Sequence, residues 1–166
     1  IIYNGKIVNG KTGGAAEIGH ITVNRDETEM CSCGRYGCLE QYASGRGMSL
    51  LAKRYLEGNE KATCLTMDRT DAKTICDAAK AGDKCADDIL WEYADYLAEG
   101  IGTATTLLNP DVVAIGGGVS AAGDILIDKV REKIKKYVFH ASENVEIKFS
   151  ELGSDAGIYG AAKLLV

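Results

Sequence analysis

The sequence has 166 residues, a length that predicts one compact domain able to bury a sizeable core. Its 19 basic and 24 acidic side chains leave a net charge of −5, which argues against a sequence-independent grip on nucleic acid or on an anionic membrane surface. Uninterrupted apolar runs fall far short of the ~20 residues that span a bilayer, so we expect a soluble protein with no membrane partner.

The chain opens with the strongest short hairpin signal in the sequence. Asn4-Gly5 lies between the stretches 1–3 and 6–8 and supplies the two positive φ angles of a type I′ turn. Apolar periodicity and turn residues give the other elements of the first half. They are a loop of small residues at 10–16, a short strand at 21–24, helical segments at 39–44 and 48–56 interrupted by Gly-Arg-Gly at 45–47, and a polar loop at 57–70.

The second half alternates helices and strands. Its predicted elements are a helix at 71–81, a long helix at 84–108 that Asn-Pro ends, an apolar strand at 112–115, a helix at 124–137, a strand at 145–149 and a final helix at 155–165. Thr70 or Asp71 caps the first of these helices, and the run at 112–115 is typical of a central strand covered on both faces. This order predicts an α/β fold, a sheet flanked by helices with right-handed crossovers.

The six cysteines favour a reducing compartment over a secreted disulfide framework. The chain is too long to need covalent staples, shows no signal peptide, and places Cys31 and Cys33 one residue apart. We therefore expect a cytoplasmic location. The scattered Cys64, Cys76 and Cys85 are interpreted as small apolar residues or surface thiols.

Three cysteines and a histidine form a candidate metal site. Three thiolates and one imidazole make a complete tetrahedral set for zinc, which leaves no open position for a reactive water and so indicates a structural ion. Gly34 and Gly37 would let a short loop deliver three sulfurs. The alternatives are incidental thiols beside a strand-start histidine, or iron–sulfur ligation; the spacing excludes a CxxC redox pair. The four residues are His20, Cys31, Cys33 and Cys38.

Two glutamates flank this cluster in the sequence. If a metal ties His20 to the cysteine loop, Glu17 and Glu40 are drawn into the same small volume. Two carboxylates and an imidazole edge suit a polyhydroxyl ligand, because each sugar hydroxyl donates one hydrogen bond and a buried carboxylate needs donors. The alternative is that both glutamates are solvated surface acids.

A third motif, Gly116-Gly117-Gly118, follows the apolar strand at 112–115 and precedes a helix, where nucleotide sites lie in α/β sheets. It is neither a Rossmann fingerprint, since Ala121 replaces the third glycine, nor a Walker loop, since Asp124 stands where the lysine belongs. The glycines are interpreted as walls against which a flat ligand could lie. The alternative is a plain strand-to-helix turn.

Four segments resemble, in this order, the motifs of one protein family. The chain resembles the ROK family of sugar kinases, repressors and uncharacterised open reading frames over essentially its whole length, and bacterial glucokinases most of all. The resemblance implies the C-terminal lobe of the actin-like, ribonuclease-H-like ATPase fold over 1–166, with an inserted zinc-binding loop at 20–40. The segments are Glu-Ile-Gly-His at 17–20, Cys-Ser-Cys-Gly-Arg-Tyr-Gly-Cys-Leu-Glu at 31–40, Asn-Pro-Asp-Val-Val-Ala-Ile-Gly-Gly-Gly-Val-Ser at 109–120 and Gly-Ser-Asp-Ala-Gly-Ile-Tyr-Gly-Ala-Ala at 153–162.

The resemblance also implies an activity, the phosphorylation of a hexose such as glucose at O6 by ATP with Mg²⁺. His20 would then be shared, with one ring nitrogen on zinc and the other facing the sugar. The implied ligand sets are His20, Cys31, Cys33 and Cys38 for structural zinc, Glu17, His20 and Glu40 for the sugar, and Gly116, Gly117 and Gly118 for the adenosine of ATP.

Two departures from the family pattern matter. Ala16 stands where the family commonly has a glycine before its glutamate. The family's catalytic aspartate belongs upstream of residue 1, and no aspartate here matches its motif, so no general base is assigned. We expect one lobe of a kinase, with little activity alone, whose partners are its own N-terminal lobe and, in a homodimer or higher homo-oligomer, further copies of itself.

The alternative function is the sugar-sensing domain of a repressor from the same family, which would share the zinc and sugar motifs. A repressor that no longer hydrolyses ATP has no need of a glycine-lined adenosine pocket, so Gly116–Gly118 favour the kinase. A purely structural zinc module would predict neither Glu17 nor Glu40 at a cavity.

Overall fold

Helix α4 is the longest element of the computed structural model, which describes residues 1–58 and 62–164. Part of the predicted loop at 57–70 and the end of the predicted last helix, at 165, lie outside the described residues. The helices are α1 (Glu40–Ala43), α2 (Gly45–Glu57), α3 (Ala72–Lys80), α4 (Lys84–Leu108), α5 (Asp124–Lys133) and α6 (Ala156–Lys163). The strands are β1 (Ile2–Tyr3), β2 (Lys6–Ile7), β3 (Val112–Ile115) and β4 (Glu146–Phe149).

Helix α4 forms the centre of the core. Asp83 caps its N-terminus by accepting the Ala86 N–H at 3.0 Å, and Asn109 ends it in a left-handed conformation with φ +41°. The predicted bounds of this helix are confirmed. One face of α4 packs against α1, α2, α3 and α5. Its buried residues include Ile89, Leu90, Tyr93, Ala94, Ala98 and Ile101.

Two glycines in α4 allow neighbouring side chains to approach its backbone closely. A Cβ on Gly100 would overlap the Leu39 side chain, and a Cβ on Gly102 would lie 2.5 Å from the Cβ of Tyr137. Glycine costs about 1 kcal/mol relative to alanine in a helix interior. Close packing against Leu39 and Tyr137 explains why glycine stands at both positions.

The predicted hairpin is confirmed, with β1 antiparallel to β2 and positive φ at Asn4 and Gly5. The predicted strand at 21–24 is wrong. A single bridge joins Thr22 to Cys38, and the Gly37 carbonyl accepts both the Val23 and the Asn24 N–H, at 2.8 and 3.3 Å. One acceptor shared by two consecutive donors ends the ladder before a strand can form.

The helix break expected at 45–47 lies instead at Ser44. This residue has extended φ and ψ, and its hydroxyl accepts the Gly47 N–H at 2.9 Å, which makes it the N-cap of α2. The glycines therefore belong to the first turn of the helix. The predicted cap of α3 is confirmed as Asp71, which accepts the Thr74 N–H at 3.0 Å.

Strand β3 pairs in parallel with β4, with Val112 opposite Glu146 and Ile115 opposite Phe149. The α/β order is confirmed, but the expectation of a strand covered on both faces is wrong. Ile115 is buried against the core, whereas Val112 and Ala114 are exposed. The described helices cover one face of this pair, so alternate residues of β3 meet solvent.

The segments next to this sheet match the predicted helices with small changes. Helix α5 tightens into a 3₁₀ turn at Ile134–Lys136, and α6 follows a 3₁₀ turn at Gly153–Asp155. Cys76 and Cys85 are buried and Cys64 is exposed, as interpreted from the sequence. Among the described residues, no helix combines the length and the apolar character needed to cross a bilayer.

A buried carboxylate anchors the segment before the cysteine cluster. Glu27, whose side chain is 5 % exposed, accepts hydrogen bonds from the Tyr42 hydroxyl and from Arg54, the latter at 3.0 Å. Asn24 donates to the Tyr42 oxygen at 2.9 Å, and Tyr42 stacks on Tyr96 with ring centroids 4.3 Å apart. The segment is thus held to α1 and α2 by polar contacts, and the stacking of Tyr42 on Tyr96 joins α1 to α4.

Burial by itself would raise the pKa of Glu27, but hydrogen bonds from Tyr42, the Glu29 backbone and Arg54 outweigh it and lower this pKa from 4.5 to about 2. The carboxylate therefore contributes its full stabilisation above about pH 4.5 and loses it as the pH falls toward 2.

Replacing Glu27 by glutamine should destabilise the fold at neutral pH and remove part of its sensitivity to acid. We expect Glu27→Gln to lower the free energy of unfolding by about 2 kcal/mol at pH 7, with a smaller difference from the parent at pH 3. Urea unfolding followed by circular dichroism measures both. The matched control is Glu29→Gln, which removes a carboxylate that is 62 % exposed and 3.4 Å from the same Arg54. An equal loss in both variants would contradict the anchoring role of Glu27.

Candidate functional site

Four donor side chains converge at the start of α1. One donor atom from each of His20, Cys31, Cys33 and Cys38 lies within 4.8 Å of the others. The Cys31 sulfur is 3.8 Å from Nδ1 of His20, and the Cys33 and Cys38 sulfurs are 3.6 Å apart. Cys31 and Cys38 are buried and Cys33 is exposed, so the set opens to solvent on one side.

These separations fit a tetrahedral zinc ion. Zn–S bonds of about 2.3 Å and a Zn–N bond of about 2.0 Å place two sulfurs of a tetrahedral site about 3.8 Å apart and a sulfur and a nitrogen about 3.5 Å apart. The Cys33–Cys38 distance of 3.6 Å and the Cys31–His20 distance of 3.8 Å are close to these values. The Cys33 backbone N–H, despite burial, lowers the pKa of the Cys31 thiol to about 7. Burial, with the neighbouring thiols of Cys33 and Cys31, raises the pKa of Cys38 to about 12. Without a cation a third thiolate, that of Cys38, is therefore costly beside the other two, as expected for a set whose charges a metal would balance.

Two glycines shape the loop that carries the sulfurs. Gly34 has φ +84° in a tight turn where the Cys31 N–H donates to the Arg35 carbonyl at 2.7 Å. Gly37 has φ +68°, and a Cβ there would overlap the Asn24 carbonyl. Both positions require glycine, as the sequence predicted.

Glu40, the first residue of α1, lies beside this donor set. Its Oε2 is 4.0 Å from Nε2 of His20, so the two ring nitrogens of this histidine face different groups. The Ser32 hydroxyl donates to Oε1 of Glu40 at 3.2 Å. The Glu40 side chain is 44 % exposed and available to a ligand. The structure therefore brings together two of the three residues predicted to bind sugar.

Glu17, the third, begins the 3₁₀ turn Ile18–His20, where its carbonyl accepts the His20 N–H at 3.1 Å. Its side chain is exposed. The residue before it, Ala16, has φ +70°, a conformation that costs an L-amino acid about 1 kcal/mol and a glycine almost nothing. The departure of Ala16 from the family pattern thus falls where a glycine would relieve strain.

The triple glycine lies along an open cleft of about 430 Å³ between β3, α2 and α3. Gly117 has φ +80°, and a Cβ on Gly118 would meet no atom within 4 Å. The Ser120 hydroxyl and the Gly153 carbonyl hold this turn through hydrogen bonds to Gly117 of 2.7 and 3.3 Å.

Sequence reasoning missed the opposite wall of the cleft. That wall consists of Ala43, Ser44, Gly45, Asp71, Ala72, Lys73 and Tyr93. Ser44 and Asp71 are the N-caps of α2 and α3. The sequence signal for this wall was therefore the pair of capping residues, which marks where the two helices begin.

Residues 1–166, the whole chain, match the ROK family. The chain belongs to the ROK family. A glucokinase from Halalkalibacterium halodurans is 36 % identical over 99 % of this chain and 52 % of its own length. A xylose repressor from Caldicellulosiruptor bescii is 31 % identical over 100 % of this chain and 42 % of its own length. This ROK chain spans about half the length of the curated relatives it matches.

A solved ROK glucokinase from Streptomyces griseus, in complex with glucose and AMPPNP, superimposes with a TM-score of 0.86 and 32 % identity. The match covers 96 % of this chain and 54 % of that one. The fold is therefore α/β and is that of the ROK sugar kinases, whose architecture is the actin-like ATPase fold.

The donor set should hold about one zinc ion per chain, and loss of one sulfur should release it. We expect Cys33→Ser to reduce the zinc content severalfold, measured by elemental analysis after dialysis. Cys64→Ser, which removes an exposed thiol outside the set, is the matched control and should keep the parent content. Equal zinc in both variants, or none in the parent, would contradict the metal assignment.

Proposed function

We propose that this chain is the C-terminal lobe of an ATP-dependent hexose kinase of the glucokinase type, which phosphorylates glucose or a related hexose at O6. The observation that carries the proposal is the pairing of Glu40 with Nε2 of His20 beside the donor set. Its likeness to the S. griseus glucokinase bound to glucose and AMPPNP supports the assignment of both ligands.

Glu40 and His20 together can recognise a sugar hydroxyl both as a hydrogen-bond donor and as a hydrogen-bond acceptor. Because Nδ1 of His20 faces the Cys31 sulfur, a metal on that side would leave the ring proton on Nε2, which then donates a hydrogen bond. Glu40 accepts one. A hydroxyl both donates and accepts, so it is matched by a neighbouring imidazole N–H and a carboxylate. Glu17 would supply a second acceptor from the same 3₁₀ turn.

In this proposal the metal is structural zinc, bound by His20, Cys31, Cys33 and Cys38. It would fix the tautomer and the direction of His20 and supply no chemistry to the phosphoryl transfer. The cleft along Gly116–Gly118 would bind the adenosine of ATP, with Mg²⁺ at the phosphates. The general base would come from the N-terminal lobe of the same protein, which is the proposed partner of this chain. The whole protein would be cytoplasmic and would form a homodimer or a higher homo-oligomer.

A sugar-sensing repressor domain is the second candidate, because a xylose repressor matches the full chain at 31 % identity. The open space beside Gly118 favours the kinase, since a sensor has no use for a wall that admits a nucleotide. Incubation of the full-length protein with glucose and ATP separates the two. Glucose 6-phosphate formation supports the kinase, and sugar binding without turnover supports the sensor.

Loss of either glutamate charge should weaken sugar binding. In the full-length protein, we expect Glu17→Gln and Glu40→Gln each to raise the dissociation constant for glucose roughly tenfold, because a charged acceptor becomes a neutral amide. Calorimetry measures this constant. Glu151→Gln, at an exposed glutamate in the turn after β4 and outside the proposed sugar site, is the control and should bind glucose like the parent. Unchanged affinity in both test variants would contradict the sugar site.

A methyl group on Gly118 should block the nucleotide without disturbing the fold. Nothing within 4 Å opposes it, so we expect Gly118→Ala to change the free energy of unfolding by less than about 0.5 kcal/mol. The KM for ATP should rise roughly tenfold through overpacking of the ligand. Gly58→Ala is the matched control, since its nearest contact is 3.8 Å away at the other end of α2. A KM for ATP in Gly118→Ala equal to that of the parent would contradict the binding of adenosine in this cleft.

A further inference from the structure

Ser32 connects the metal-binding loop to the proposed sugar-binding carboxylate. Its hydroxyl lies 3.2 Å from Oε1 of Glu40 and 3.8 Å from the Cys31 sulfur. Neither the metal set nor the sugar set predicted from the sequence includes this residue.

The position of Ser32 is fixed from both sides. It stands between Cys31 and Cys33, whose sulfurs belong to the donor set, and the Cys31 N–H is hydrogen-bonded to the Arg35 carbonyl at 2.7 Å. Its side chain has a single rotatable bond before the hydroxyl. Ser32 therefore presents a donor at a defined place once the loop is folded.

Glu40 needs such a donor because its own side chain is long and 44 % exposed. A glutamate with several rotatable bonds samples many orientations unless a contact selects one. The 4.0 Å separation from Nε2 of His20 is too long for a hydrogen bond, so among the described residues the Ser32 hydroxyl is the donor that orients this carboxylate.

The hydrogen bond from Ser32 leaves most of the carboxylate available. An ionised carboxylate has about four lone-pair sites, and the serine uses one of them on Oε1. Oε2, on the side of His20, stays open to a hydroxyl donor. The same geometry thus restrains Glu40 and keeps it competent to bind.

We propose that Ser32 is a positioning residue for sugar binding, which holds Glu40 in the orientation that accepts the sugar hydroxyl. The metal-binding loop then reaches the sugar by two routes, through His20 and through Ser32 to Glu40. This inference rests on the proposed role of Glu40 as a sugar ligand.

The test is steady-state kinetics on the zinc-loaded full-length protein. We expect Ser32→Ala to raise the KM for glucose roughly 3- to 10-fold, the effect of losing one hydrogen bond to a charged partner. Because the Ser32–Glu40 contact should stabilise bound glucose equally in the ground state and in the transition state, kcat should stay within about twofold of the parent value. Ser32→Thr keeps the hydroxyl and should restore most of the affinity.

Arg35→Ala is the matched control. It removes a 3.2 Å hydrogen bond between exposed side chains of the same loop, from Arg35 to Thr22, without touching Glu40. Its KM for glucose should equal that of the parent. Zinc content should be the same in all these variants, and a higher KM accompanied by zinc loss in Ser32→Ala would overturn the inference.

A double-mutant cycle with Glu40→Gln separates this inference from the proposed function. If Ser32 acts through Glu40, adding Ser32→Ala to Glu40→Gln should raise KM by less than about twofold further. A higher KM in Glu40→Gln together with a parent-like KM in Ser32→Ala would overturn the inference alone. A parent-like KM in Glu40→Gln would overturn the sugar site and the inference with it.

Discussion

The buried face of α4 is the contact on which the positions of both candidate ligand sites depend. Tyr93 donates a hydrogen bond to the Ala43 carbonyl at 3.0 Å, and Tyr96 stacks on Tyr42, so α4 holds the short helix that begins with Glu40. The same helix packs against α2 and α3, whose N-terminal residues line the glycine-lined cleft together with Tyr93 of α4 itself. The proposed sugar and nucleotide sites are therefore both located relative to one 25-residue helix, and displacement of that helix would move both.

The loop at 20–40 obtains its order by different means. It adds few side chains to the apolar core. Its buried Glu27 joins it to Tyr42 and Arg54 of the neighbouring helices, and the shared Gly37 carbonyl and the converging sulfurs hold the loop to itself. Polar and metal contacts are directional, whereas apolar packing tolerates small shifts. A loop held in this way keeps His20 and Glu40 in a defined geometry even though both are partly exposed.

Local signals in the sequence predicted what depends on local physics. The Asn4-Gly5 hairpin and the bounds of α4 follow from turn chemistry and periodicity, and the donor set follows from ligand spacing. Two of the wrong predictions concern competition between partners: the Gly37 carbonyl accepts two N–H groups and prevents a strand, and the Ser44 cap moves the helix break. The contacts of Glu27 and Ser32 join residues 8 to 27 positions apart with no periodic pattern, so only the folded chain reveals them.

The glycines of α4 also limit which substitutions this sequence can accept during evolution. Any side chain at Gly100 would need a smaller residue than Leu39 opposite it, and Leu39 lies between Cys38 of the donor set and Glu40. At Gly102 the near atoms of Tyr137 are its Cβ at 2.5 Å and its backbone carbonyl oxygen at 2.8 Å, so a smaller side chain at 137 offers no relief. Positions 39 and 100 should therefore vary together among related sequences, whereas position 102 should stay glycine whatever stands at 137.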